Sequence, residues 1–261
     1  MIVKALNMKV LLLANRPSRS TNANAIIDHI DAFLNYSKFS VTLFNPYGKT
    51  GPPENIFLGY DAVIVHYSIV ISHDSFLSSL FRQQLSLFRG IKVLFIQDEY
   101  RFINETTNAM ISIHFDLIFT NYKLCDIYKI YPRKLFENTK FVNNLTGYVD
   151  NNLLGMTTPA YDKRDIDVFY RARKLPAWYG RLGYNKYKIG EQFRKLTKSY
   201  TSLNLDLSSK ENERIYGDKW IEVILNSKCV LGSETAGSVM DFTGEIQKQV
   251  EQYEGKHPDA S

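Results

Sequence analysis

An α/β fold of two Rossmann-like, doubly wound domains, the second of them incomplete, is predicted by three features of this 261-residue sequence. Short apolar runs recur at regular intervals, and stretches with three- and four-residue apolar spacing lie between them. The alternation lapses once, near residues 151–159, and then resumes. Strand and helix patterns alternating at this spacing belong to parallel sheets with helices packed on their faces.

The elements follow in order. Met8–Leu13 (MKVLLL) is a nearly continuous apolar run, the pattern of a strand buried on both faces. Ile26, Ile27, Ile30, Phe33 and Leu34 line one face of a helix expected over Thr21–Tyr36. Val41–Phe44 is a second strand, and Pro46–Pro53, rich in Gly and Pro, is an irregular loop. Asp61–His66 (DAVIVH) is a third strand, followed by a helix expected from about Asp74 to Phe88 with Ser72 as its cap. Ile91–Gln97 and Asp116–Thr120 are further strands with a helix around Thr106–Ile113 between them, and Phe141–Asn143 is a weak sixth. The small and polar stretch Asn151–Pro159 reads as a linker, which sets the domains at 1–158 and 159–261. Beyond it come strand Ile166–Tyr170, helix Lys186–Lys198, strand Ser202–Leu207, helix Lys219–Asn226 and strand Cys229–Leu231. A last helix carries Val239, Phe242, Ile246, Val250 and Tyr253 on one face. Three strands amount to one half of a doubly wound domain, so the second domain is expected to be a truncated piece of a longer protein.

Composition narrows the class. A hydrophobic fraction of 44% and a charged fraction of 23% exclude a disordered or collagen-like chain. No apolar run approaches the roughly 18 residues of a membrane helix. Cys125 and Cys229 lack any zinc or redox spacing and read as reduced thiols of a cytoplasmic protein. The net charge of +5 is unevenly spread: Lys163–Lys198 holds 11 basic and 3 acidic side chains, whereas Ser199–Ser261 holds 6 basic and 11 acidic. A basic strip so localised fits an anionic small molecule or a docking surface better than nucleic acid, which is not expected as a partner.

Ligands of open α/β sheets bind beyond the carboxyl ends of the strands, which selects candidates directly. His66 follows the third strand, Asp98 and Glu99 the fourth, Arg171, Arg173 and Lys174 the first strand of the second domain, and Ser233 and Glu234 its third. Two such rims facing each other make a cleft with a carboxylate-rich wall opposite a cationic one. In Tyr170–Pro176 (YRARKLP), two guanidinium groups and an ammonium suit a diphosphate; the other reading is a solvated basic loop. Asp98 and Glu99 suit proton transfer if desolvation raises one of them; the other reading is a helix start with acids favouring the dipole. His66 stands where a base or a donor to substrate would stand, or is a structural histidine. In Gly232–Ser238 (GSETAGS), backbone N–H groups and Ser233 suit an anion and Glu234 suits sugar hydroxyls; the other reading is a tight strand-to-helix turn with Ser capping. Asp165-Ile-Asp167 matches a D-x-D metal pattern, but it lies at the start of a strand, and no metal site is expected.

The combination Gln97–Tyr100 (QDEY), Asp167–Gly180 (DVFYRARKLPAWYG), Asp218–Ile221 (DKWI) and Leu231–Glu245 (LGSETAGSVMDFTGE) resembles bacterial glycosyltransferases of the GT-B type active in polysaccharide and O-antigen assembly. Alanine stands at Ala172 and Ala236 where that family's pattern has glycine, and the family continues for a further segment not present here. The resemblance implies a hexosyltransferase-like enzyme whose first domain faces an acceptor and whose second binds a nucleotide-sugar. It implies that Arg171, Arg173, Lys174, Ser233 and Glu234 hold the donor without a metal cofactor. Asp98, Glu99 and His66 would then face the acceptor, with one of them as general base. The acceptor is expected to be a cell-surface glycan or a lipid-linked one, in the cytoplasm or at the inner face of the plasma membrane. The rival is a non-catalytic α/β module that binds a sugar or nucleotide.

Overall fold

A computed structural model describes residues 8–19, 22, 24–145, 147–234 and 236–257. Its residues form two compact units, one of residues 1–18 and 24–150, the other of residues 19–23 and 151–261. The stretch 151–159 read as a linker falls in the second of these units.

The first unit contains β1 (Lys9–Leu13), α1 (Asn24–Tyr36), β2 (Ser40–Phe44), β3 (Ala62–Val65), α2 (Ser79–Leu87), β4 (Ile91–Phe95), α3 (Ile103–Ile113), β5 (Leu117–Thr120), α4 (Leu124–Ile130) and β6 (Lys140–Asn143). The sheet has the order β2-β1-β3-β4-β5-β6 and every neighbouring pair is parallel. Right-handed crossovers then place α1 on one face and the helices after β3 on the other. Strand β1 lies between β2 and β3, and Val10, Leu11, Leu12 and Leu13 are all buried, as a run apolar on both faces requires. Ile30 of α1 packs on Leu12 and Ala14, with Phe33, Leu43 and Ile64 around them.

Aspartates at the strand starts hold the opposite edge of this sheet. Asp61, just ahead of β3, accepts from the Lys9 amide at 2.8 Å, and Asp116, just ahead of β5, accepts from the Lys92 amide at 2.8 Å. Each carboxylate satisfies an N–H at the start of a neighbouring strand that the ladder would otherwise leave open.

Several helix boundaries differ from the sequence expectation for local reasons. Helix α2 begins at Ser79, and its cap is Ser78, whose Oγ accepts from the Phe81 amide at 3.3 Å; residues 73–77 are turns closed on the His73 carbonyl. Helix α1 starts at Asn24; Thr21 lies outside the described residues. Helix α3 starts earlier than expected, at Ile103, after a left-handed Phe102 with φ of 49°. Helix α4 was not expected at all, and it proves important below.

The second unit is a three-stranded parallel sheet of order β8-β7-β9, from β7 (Ile166–Arg171), β8 (Leu205–Ser208) and β9 (Ser227–Val230). Its helices are α5 (Arg181–Leu196), α6 (Asp218–Leu225) and α7 (Glu245–Lys256). Val168, Phe169 and Tyr170 form its buried centre. Helix α5 lies close on β7 because Gly190 carries no side chain: a Cβ there would stand 3.1 Å from the Tyr170 ring. The Tyr170 hydroxyl donates to the Lys186 carbonyl at 2.7 Å and fixes the same contact. The last helix starts at Glu245, not near Val239, because the buried Asp241 carboxylate accepts from the Gly244 and Gln247 amides at 2.8 and 2.9 Å and caps it. Among the described residues no helix is long and apolar enough to cross a membrane.

Gly90 joins α2 to β4, where an added Cβ would strike the Asp61 carbonyl and the Phe88 ring. The Asp61 carbonyl cannot retreat, because it accepts the Ile91 amide at 3.0 Å. Gly90→Ala is therefore expected to destabilise the protein by about 2 kcal/mol or more. Urea unfolding of the two proteins measures it.

Candidate active site

Past Phe95 the chain leaves the sheet through Ile96 and Gln97 and turns sharply. Asp98 has φ of 55° and Phe102 has φ of 49°, both in the left-handed region that L-residues with side chains seldom enter. Between these two bends Glu99 is folded back beneath the strand ends, where it is 5% exposed. Its Oε1 accepts from the Thr120 hydroxyl at 2.6 Å and from the Asn121 amide at 3.1 Å, while its Oε2 accepts from the Tyr131 hydroxyl at 2.9 Å. Thr120 Oγ1 in turn accepts from the Tyr122 amide at 3.1 Å. Three donors from β5, the residue after it and the end of α4 thus converge on one carboxyl.

Two effects on this carboxyl oppose each other. Burial penalises the charged form, while the three donors favour it and the neighbouring Asp98 charge opposes it again. Burial prevails and holds the Glu99 carboxyl up at about 7. Tyr131, itself fully buried, is pushed well above its ordinary range by burial and by the Glu99 charge, so it stays a donor. Asp98 accepts from the Tyr100 hydroxyl at 3.1 Å.

Glu99, Asp98 and Tyr131 line a cavity of about 450 Å³ at the carboxyl ends of β3 and β4, within the range of small-molecule sites. Its other walls come from the segment after β3, including Ile69 and Ile71, and from the start of α3. Thr120 and Tyr131 are site residues that the sequence did not single out. Tyr131 ends a helix too short to show a full period, and Thr120 was read only as the end of a strand.

His66 is brought into a different arrangement. It is fully buried, and its Nδ1 accepts from the Ser68 amide at 3.0 Å. That nitrogen therefore carries no proton, and neutral His66 has its hydrogen on Nε2, directed at His29 Nδ1 2.9 Å away. Ser68 Oγ lies 2.9 Å from His66 Nδ1 and accepts from the Asn15 amide at 2.9 Å, so the hydroxyl donates to the ring. Burial, reinforced by His29, holds His66 down to about 3. The chain Asn15–Ser68–His66–His29 spans the gap between β1 and β3, where the winding of the sheet reverses. It is neutral and locked in one tautomer. His66 is not among the residues lining the Glu99 cavity, although the adjacent Tyr67 is.

In the second unit the cationic residues divide. The Arg171 guanidinium is taken up by the fold: Nη2 donates to Asp206 Oδ1 at 2.5 Å, Nη1 to the carbonyls of Tyr170 and Asp206, and Nε to the Glu213 carbonyl at 3.2 Å. Arg173 and Lys174 are exposed, with the Lys174 ammonium 5.7 Å from the Tyr187 ring centre. Ser233 and Glu234 line a polar depression of about 450 Å³ with Tyr184, Lys188 and Gln192 of α5, and none of the three cations borders it. Asp167 of the D-x-D pattern accepts from Lys228 Nζ and from the Asn204 amide, both at 2.7 Å, and serves the sheet. Among the described residues no three His, Cys, Asp or Glu side chains are grouped as metal ligands.

The two alanines that stand in for glycine behave differently. Ala172 is buried beside the end of β8 with its amide on the Ser208 carbonyl at 3.2 Å. Ala236 has φ of 101°, where glycine is at ease and alanine is not. Comparison with protein-family models, with curated proteins and with solved structures gives no match for this chain.

Two measurements follow from this geometry. The folded protein keeps a proton on Glu99 up to about 7, while the unfolded chain releases it near 4.5. The stability this contributes is complete below the lower value and is lost as pH rises through the upper one. The stability of the protein relative to Glu99→Gln should therefore fall by about 3 kcal/mol between those values and level off above them, as read by urea unfolding at a series of pH values. Separately, Ala236→Gly should raise stability by about 1 kcal/mol through relief of the left-handed strain, read by the same method.

Proposed function

We propose that the chain is a glycosyltransferase that moves a sugar from a nucleotide-sugar to a hydroxyl of a glycan or lipid-linked acceptor, with the acceptor in the first unit and the donor in the second. One observation carries this reading: a buried carboxyl, Glu99, held by three donors at the edge of a ligand-sized cavity, with its proton poised near neutrality. Three of the carboxylate's four lone-pair positions are occupied, and the remaining one on Oε2 can accept an acceptor's O–H. A group that exchanges its proton near working pH is suited to draw the proton from that hydroxyl as a bond to the sugar forms. Asp98 holds the turn and adds negative charge beside Glu99, which favours proton uptake. His66, neutral and fixed, serves as a positioning residue for His29 and the β1–β3 gap.

On the donor side, Arg173, Lys174 and Glu234 are the exposed groups of the set, suited to a diphosphate and to sugar hydroxyls. Work on a lipid-linked acceptor would bring the protein to the inner face of the plasma membrane. The commitment of Arg171 to Asp206 favours the second reading, a module that binds a sugar or nucleotide without turnover, because it removes one cation from the donor set.

Calorimetry and a transfer assay with a panel of UDP-, GDP- and CMP-sugars decide between them. Glu99→Gln should lower kcat roughly a hundredfold or more and leave donor affinity unchanged. Since the base must be ionised, kcat/KM of the unaltered protein should rise with pH and reach a plateau above about 7. Donor binding with no transfer to any acceptor would leave the binding module as the reading, and no donor binding would remove both.

A further inference from the structure

We infer that the Glu99 cavity takes an alcohol carried on an apolar body and turns away anionic molecules and free sugars. The hydroxyl in this inference rests on the acceptor-side reading above; the apolar body rests on the lining alone.

The walls supply the first part. Ile69, Ile71 and Phe76 come from the segment after β3, and Leu94, Ile96 and Ile103 from β4, its exit and α3. Ile69, Ile71, Leu94 and Ile103 are each 3% exposed or less, so this is a fixed apolar surface continuous with the core. A free hexose carries hydroxyls around its whole ring, and on such walls most of them would lose water and gain no partner. Asp98 and Glu99 stand side by side in the lining with the Tyr131 hydroxyl on Glu99, and there the hydroxyl of a ligand would be met.

The charges supply the second part. The lining carboxylates are Asp98, Glu99 and Glu105. Against them stands Arg101, whose guanidinium lies 5.1 Å from the Phe102 ring centre. The imidazole of His73 has its Nδ1 turned to Ser75 Oγ at 2.8 Å. A carboxylate or phosphate entering this cavity would meet three acidic groups against one guanidinium. A neutral hydroxyl would donate to the open position on Glu99 Oε2 and leave its apolar body against the isoleucines.

The probes are phenylbutanol, phenylbutyrate of matched length and glucose, titrated at about pH 8 into the full chain with labelled isoleucine methyls and followed by NMR. Phenylbutanol should shift the methyls of Ile69, Ile71 and Ile103. Phenylbutyrate should bind roughly tenfold more weakly or worse, and glucose should leave those methyls unmoved. Thr106→Trp, at the half-buried start of α3, should abolish the alcohol's shifts, and Val70→Trp, at the exposed rim, gives a second obstruction that leaves α3 untouched. Equal binding of the acid, shifts of these methyls by glucose, or alcohol shifts that survive both obstructions would overturn the inference. Binding of the alcohol with no sugar transfer to it would uphold the inference while counting against the transferase reading.

Discussion

The desolvated carboxyl of Glu99 is the constraint around which the first unit is organised. A carboxyl 5% exposed is tolerated only where donors meet its oxygens, and those donors come from parts of the chain distant in sequence: Thr120 and Asn121 at the end of β5, and Tyr131 at the end of α4. The parallel sheet makes this possible by bringing the ends of β4 and β5 side by side, with Phe95 opposite Phe119 in register. Tyr131 then reaches in because its amide closes the last turn of α4 on the Ile127 carbonyl at 2.9 Å. The three bonds are too few to offset burial entirely, and the carboxyl keeps its proton near neutral pH.

The second unit handles charge in the opposite way. Much of its basic strip is compensated within the fold: Arg171 on Asp206, Arg164 on the Ser227 carbonyl at 3.1 Å, and Arg194 on Glu191 and the Leu207 carbonyl. Lys228 and Asp167 pair across β7 and β9. Part of the local excess of positive charge in the sequence thus serves to fasten a thin sheet. Helices α6 and α7 bury no residue fully, and α5 buries only Gly183 and Gly190, so polar contacts to loop carbonyls carry more of the burden there than apolar packing does.

The strands were the most legible part of the sequence because a strand covered on both faces must be apolar throughout, and Leu11, Leu12 and Leu13 leave no other reading. Helix starts were less so, since a cap depends on which hydroxyl or carboxylate the fold turns inward: Ser78 and not Ser72, and Asp241 ahead of the helix and not on it. Helix α4 was missed because seven residues contain too few apolar repeats to show a period. For the site, strand-end position singled out Asp98 and Glu99, and both line a cavity. It had no means to reveal that Glu99 is held by Tyr131, 32 residues on, or that His66 is met by His29, 37 residues back. Such partners are set by crossover geometry. Nor does charge alone show that Arg171 is paired while Arg173 is exposed: Arg171 is the last residue of β7, beside Asp206 of β8, and Arg173 lies beyond the strand.

Backbone strain separates the frame from the working loops. Among the described residues, side-chain-bearing residues enter the left-handed region at Asn55, Asp98, Phe102, His114 and Ala236. Asn55 belongs to a loop turn, and His114 closes α3 with its amide on the Met110 carbonyl, both settings in which that conformation is a common way of turning the chain. Asp98 and Phe102 are different, since they bracket Glu99 within five residues, and Phe102 is of a kind that seldom takes the conformation. Each bend costs on the order of 1 kcal/mol, and neither is needed to end β4, which a relaxed turn would do as well. What the pair achieves is the inward turn of one carboxyl against its own preference for water. Strain and desolvation act on the same five-residue span, and the Thr120, Asn121 and Tyr131 contacts meet the carboxyl within it. A turn shaped only by stability would have let Glu99 point outward, and that is the physical ground on which the proposed role of Glu99 in proton transfer rests.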